Sequence, residues 1–163
     1  MDKKLHDQGL ENRNEVLGAD YVERSMSQVD DFNKELQEVL NEYCWGKIWS
    51  GKGLDRKQRS ILNLGMLAAL GRSHEFKLHF RGALNNNVSI EELKDVLLQI
   101  MGYCGFPAGV ESFRLAKEVL NEHKKNEHTN PGKPGNFWIC RIGQHGGPHG
   151  NKLVKVCRQT SCL

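Results

Sequence analysis

Three side chains near the middle of the chain, Arg72, Glu75 and His79, have the types and the spacing that proton chemistry on an anion requires. At roughly 100° per residue in an α-helix, positions three and seven apart fall within about 60° of arc, on one face. A guanidinium there can hold a carboxylate as a planar, bidentate donor. An imidazole can donate to a developing oxyanion or act as an acid, and a nearby carboxylate can orient it and favour its protonated form. That chemistry calls for no metal and no organic cofactor. The same spacing also describes a solvated ionic face in which Glu75 and His79 form a weak i,i+4 pair. Spacing alone leaves both readings open.

These residues need a scaffold, and the chain is long enough to supply one. Its 163 residues can form one domain with a real core. The formal charge of +3 is too small and too dispersed to argue for a nucleic-acid partner. No apolar run is long enough to span a bilayer, and Met1–Asp7 has no apolar stretch behind its lysines, so no secretory signal is expected. The cysteines are odd in number and follow no small-secreted-domain pattern, which points to a reduced, cytoplasmic protein.

Composition changes near Lys124. Before it, apolar residues recur at helical spacing and Pro107 is the lone proline. After it comes a segment rich in Gly, His and basic residues. The expectation is an all-α domain over residues 1–123, a compact bundle of about six to seven helices, and a poorly ordered tail over 124–163 of unknown role. Phe32, Leu36, Val39, Leu40 and Tyr43 form one apolar stripe, and Trp45–Trp49 follows as a short turn or helix. Asp55 is placed as an N-cap with Gln58 as its reciprocal partner. The helix they open carries Ile61, Leu62, Leu64, Met66, Leu67 and Leu70, is apolar on most sides and is expected to be central and buried. Ser73 can cap the helix that carries Glu75 and His79, and Asn85–Asn87 end it. Ser89 and Glu92 form a second capping box, with Val88 and Leu93 as a hydrophobic staple. In the last helix Val110, Phe113, Ala116, Val119 and Leu120 are expected to face inward.

Arg56 and Arg59, on the first turn of the helix after Asp55, are further candidates for anion binding, or else for surface or inter-subunit ion pairs. Trp45 and Trp49 read as packing rather than as a cofactor box, and His74 as solvated. In the tail, Cys140, His145, His149 and Cys157 could supply sulfur and nitrogen to zinc, but their spacing fits no common finger, and no metal site is assigned.

Several blocks in order resemble the carboxymuconolactone decarboxylase family across roughly residues 10–122. They include Val16-Leu17-Gly18, Asp31-Phe32-Asn33, Trp45-Gly46-Lys47-Ile48-Trp49, Gly53-Leu54-Asp55-Arg56, Ala69-Leu70-Gly71-Arg72, Glu75 to His79 with Ala83-Leu84-Asn85-Asn86, Glu91-Glu92-Leu93, and Tyr103-Cys104-Gly105-Phe106-Pro107-Ala108. The resemblance implies an all-α subunit of the alkylhydroperoxidase D-like type, a homo-oligomer (commonly trimer or hexamer) with active sites near subunit interfaces, and a small-molecule dicarboxylate lactone as substrate. It implies cofactor-free decarboxylation of 4-carboxymuconolactone to 3-oxoadipate enol-lactone, in the protocatechuate branch of aromatic catabolism. Arg72, Glu75 and His79 match its active-site pattern, with Arg72 for a substrate carboxylate or oxyanion, His79 for proton delivery and Glu75 as orienter or acid/base partner. Trp45, Arg56, Arg59, Tyr103 and Cys104 are the substrate-contact candidates, Cys104 reading as a small buried side chain rather than as a nucleophile. Peroxidase members of the superfamily carry Cys-x-x-Cys before the histidine; Arg72 and Glu75 stand there instead, which removes thiol redox chemistry. Gly51-Lys52 and Ser73 depart from the decarboxylase pattern and leave the substrate open to a related lactone, a β-keto acid or a polyketide-like acid. The alternative function is a catalytically drifted helical oligomer that binds or scaffolds a partner.

Overall fold

The structure, a computed structural model, describes residues 1–129, and the regular elements among them are all helical. They are α1 (Lys3–Leu17), α2 (Ala19–Met26), α3 (Lys34–Val39), α4 (Arg56–Ala69), α5 (Ser73–Asn85), α6 (Ile90–Cys104) and α7 (Phe106–Thr129). Between α3 and α4 the chain runs straight from α3 into a π-helical segment, Leu40–Ile48. The all-α bundle expected from the sequence is therefore present. Helix α7 runs on past the composition break at Lys124. The expected tail from residue 130 onward, with Cys140, His145, His149 and Cys157, lies outside the described residues.

Local chemistry sets most of the boundaries. Asp55 accepts from the Gln58 N–H at 2.7 Å while the Asp55 N–H donates to Gln58 Oε1 at 2.9 Å. Ser89 and Glu92 repeat the device before α6, and the staple residues Val88 and Leu93 are both buried. Such boxes satisfy helix donors that would otherwise lack partners. Asn87 has φ 61°, the left-handed conformation that stops the chain after α5. Ser73 does not cap α5: Arg72 occupies the capping position without a side-chain bond, and Ser73 is the first helical residue.

Two cores hold the bundle. Leu64, Phe76, Phe80, Leu97 and Val119 join α4, α5, α6 and α7. Val16, Val22, Trp45 and Trp49 join α1, α2 and the π-helical segment. The apolar stripes are only partly used. Phe32 is 98 % exposed, and Leu36, Val39 and Tyr43 also face outward. Helix α4 buries Leu64 but leaves Leu62, Met66 and Leu70 exposed, so it is not buried all round. Val110 and Phe113 of α7 are exposed too, while Ala116 and Val119 are buried. Periodicity identifies an apolar face, not the element that covers it.

Helix α1 and the π-helical segment touch at backbone distance. A Cβ on Gly9 would stand 1.8 Å from the Asn41 carbonyl oxygen, and one on Gly46 would stand 2.3 Å from that of Leu5. Only hydrogen fits at either position. Beside this crossing the buried Arg13 donates to Asn41 Oδ1 at 3.0 Å, Gln37 Oε1 at 2.9 Å and Ser25 Oγ at 3.1 Å. These bonds tie α1 to α2, to α3 and to the π-helical segment. Gly9→Ala must force the two helices apart, and a loss of about 3 kcal/mol of stability is expected by urea denaturation, at the upper end of overpacking costs. A loss within about 0.5 kcal/mol would show that the crossing does not constrain the fold.

Candidate functional site

Helix α5 carries the candidate groups. Glu75 lies in its first turn and is exposed; His79 lies one turn on and is partly buried. Burial pushes the His79 pKa below the ordinary imidazole value, and the charge of Glu75 draws it part of the way back. His79 Nδ1 is buried with no hydrogen-bond partner. Beside it lie two indoles. The Trp45 ring centroid is 6.1 Å away with planes 6° apart, and that of Trp49 is 6.4 Å away at 19°. The two indoles stack on one another at 4.8 Å. Trp45 is only 5 % exposed, so its ring backs the imidazole and has little surface left for a ligand.

Arg72 is elsewhere. Its backbone, at φ −90° and ψ 72°, is not helical, so the 100° arithmetic that placed it beside Glu75 and His79 does not reach it. With Ser73, Phe76 and Glu111 it lines a cavity of about 170 Å³ between α4, α5 and α7. The fold thus sets Glu75 and His79 one turn apart on α5, while Arg72 lines the cavity between α4, α5 and α7.

The remaining candidates divide. Arg56 donates to Asn12 Oδ1 at 2.8 Å and pairs with Glu15, so its guanidinium is engaged in holding α4 to α1. Arg59 donates from Nη2 to the Gly51 carbonyl at 2.8 Å, and its Nε is buried with no partner. Tyr103 and Cys104 are exposed and line a groove of about 650 Å³ between α4 and α6, away from His79. Cys104 is therefore not a small buried side chain. His74 is exposed, as expected.

One residue of the site escaped the sequence. Asn12, buried in α1, donates to the Trp45 carbonyl at 2.9 Å and to Ser50 Oγ at 2.9 Å. An asparagine in the middle of a polar helix gives no sign of burial, and nothing in its neighbours could have singled it out. Among the described residues, no group of three or more His, Cys, Asp or Glu is gathered to hold a metal, and no helix is long and apolar enough to cross a membrane.

Residues 34–118 match the family model described as the carboxymuconolactone decarboxylase family. The chain is 40 % identical over 121 residues to the 4-carboxymuconolactone decarboxylase of Acinetobacter baylyi, covering 74 % of this chain and 90 % of that protein. It is 36 % identical over 132 residues to the nitrosuccinic acid decarboxylase of Metarhizium robertsii, covering 80 % of this chain and 92 % of that protein.

The lowered pKa of His79 links stability to pH. Between its folded value and the ordinary 6.5, the unfolded chain binds the extra proton, so stability rises with pH through that window and is lost as pH falls below 6.5. His79→Gln removes this component. The stability difference between wild type and the variant, from urea unfolding, should change across that acid window and be flat above it. A difference that does not vary with pH would show that the imidazole titrates as it does in water.

Proposed function

The chain belongs to the carboxymuconolactone decarboxylase family and is a decarboxylase; from that premise we propose that it removes CO2 from 4-carboxymuconolactone, or a related lactone acid, to give 3-oxoadipate enol-lactone. The observation that carries this reading is that the exposed Glu75 carboxylate stands one turn before the partly buried His79 imidazole on one face of α5, near enough for its charge to act on the ring.

The chemistry suits side chains alone. Loss of CO2 from the lactone leaves an electron pair that delocalises through the ring alkene into the lactone carbonyl. The substrate supplies its own electron sink, and the protein must bind a dianion, meet the developing oxyanion and return a proton to carbon. The name nitrosuccinic acid decarboxylase describes an acid with the same property, since a nitro group also accepts the electron pair. The substrate class is accordingly a small dicarboxylic acid with one carboxylate on a saturated carbon whose released electron pair an oxygen-bearing acceptor can take up. Glu75 and His79 handle charge and proton. Arg59 and Arg72, the latter lining the cavity between α4, α5 and α7, are the anion binders.

The working unit is a ring of copies, a trimer or hexamer. Leu70 and Phe32 are 71 % and 98 % exposed, and Met66, Val39, Phe106 and Val110 are exposed as well, apolar side chains that neighbouring copies would cover. Sedimentation should show the oligomer, and Met66→Glu in the α4–α6 groove should shift it toward smaller species. A wild type that sediments as a monomer would overturn this part of the reading.

The activity is tested by loss of ultraviolet absorbance of 4-carboxymuconolactone, with bicarbonate release as a check and nitrosuccinic acid run in parallel. Turnover of one of the two by wild type is expected, with kcat lowered roughly 10²- to 10⁴-fold in His79→Ala and in Glu75→Gln. Turnover of the nitro acid alone would replace the lactone as substrate. Normal turnover by both variants would remove the assigned roles.

A further inference from the structure

We propose that Trp45, Trp49 and Asn12 are positioning residues that fix His79 as a neutral imidazole with its hydrogen on Nε2, so that it serves as a hydrogen-bond donor to the developing oxyanion while Glu75 supplies the proton to carbon. This rests on the reading of Glu75 and His79 as the reacting pair.

The first support is His79 Nδ1, buried with no partner. A hydrogen placed there would be an orphaned donor, which folded proteins avoid more strictly than an unused lone pair. Both the Nδ1–H tautomer and the imidazolium put a hydrogen on that atom, and the imidazolium adds the desolvation of a charge. The Nε2–H tautomer alone leaves only a lone pair in the buried position.

The second support is the surroundings. Indole faces can attract a cation, but only within about 6 Å of the ring centroid. Here the separations are 6.1 and 6.4 Å, at and beyond that reach, so burial outweighs the attraction. Several other charged groups on neighbouring elements are engaged with partners of their own. On α1, Arg13 is bonded to Ser25, Gln37 and Asn41, and Glu15 to Arg56. On α4, Arg59 holds the Gly51 carbonyl. On α7, Glu118 meets Lys77 and Arg114, and Glu122 meets Arg81. In the π-helical segment, Glu42 accepts from the Asp2 N–H, Lys47 lies over the Tyr43 ring, and burial holds the Cys44 thiol protonated. Glu75 is left as the charge acting on His79.

The third support is how the indoles are held. The Trp49 backbone N–H donates to the Cys44 carbonyl at 3.1 Å, the five-residue reach of a π-helical turn, and this turn sets the two rings face to face. Asn12 grips the Trp45 carbonyl and the Ser50 hydroxyl that flank the pair, and Arg56 grips Asn12 in turn.

The division of labour follows. The bond to the departing carboxylate breaks, CO2 leaves, and the electron pair moves to the lactone oxygen, where the Nε2–H meets it. A proton passes from the Glu75 carboxyl to carbon, and water returns one before the next turnover.

Nitrogen-15 NMR of the histidine-labelled, substrate-free protein at neutral pH reads the tautomer directly, with His79→Gln assigning the signal. Expected are an unprotonated Nδ1 and a protonated Nε2. A protonated Nδ1, as tautomer or imidazolium, would overturn the proposal whichever acid the protein turns over. Trp49→Leu should mix the tautomers and move the His79 midpoint upward, while Trp49→Phe should keep the wild-type signature; no change in Trp49→Leu would remove the indoles from the role. In turnover, His79→Gln, which keeps an N–H donor, should retain roughly tenfold or more activity over His79→Ala, whereas equal losses would count against a donor role. Loss of that difference with the tautomer as expected would refute the assignment of chemistry and leave the positioning intact.

Discussion

Everything at the site depends on the backbone contact between α1 and the π-helical segment. Gly9 and Gly46 let the two helices meet with no side chain between them. That closeness puts Asn12 within reach of the Trp45 carbonyl and Arg13 within reach of Asn41. It also presses the indole pair against α5, where His79 stands. Were the helices an ordinary side-chain distance apart, the imidazole would have water on both nitrogens and the properties of a free histidine. The apolar core of α4 to α7 stabilises the bundle, but the smaller core beneath α1 gives His79 its environment.

The polar groups near this contact fall into two kinds. Arg13, Arg56, Asn12 and Asn41 are engaged on several sides and serve to hold elements together. His79 Nδ1 and Arg59 Nε are buried without partners, and so is Nε of Arg13, whose other nitrogens are bonded. Native structures leave few such groups. Under the proposal for His79, its orphan atom selects the protonation state of the ring. Glu75 and Arg72, both exposed, are the parts that a bound acid, or a second copy of the chain, would cover.

Much of this was legible in the residues. Asp55 with Gln58 and Ser89 with Glu92 mark helix starts through bonds within four residues of chain, so their spacing carries the information. Glu75 and His79 share a face because the backbone between them is a regular helix. Arg72 broke the pattern because Gly71, at φ 66°, ends the preceding helix and leaves Arg72 between two registers. The outward turn of Phe32 and Leu70 was hidden for another reason: an apolar face reads the same whether its own chain or another copy covers it. Asn12 and the widened turn at Leu40–Ile48 depend on contacts between elements, which no local pattern encodes.

The most direct measurement is decarboxylation in D2O, with the configuration of the newly deuterated carbon read by NMR. If the Glu75–His79 pair handles the proton and the charge, wild type should place one deuteron on one face of that carbon. Glu75→Gln should turn over slowly and lose that facial selectivity. Wild-type rate and unchanged facial selectivity in Glu75→Gln would contradict the assignment of the pair as the reacting groups.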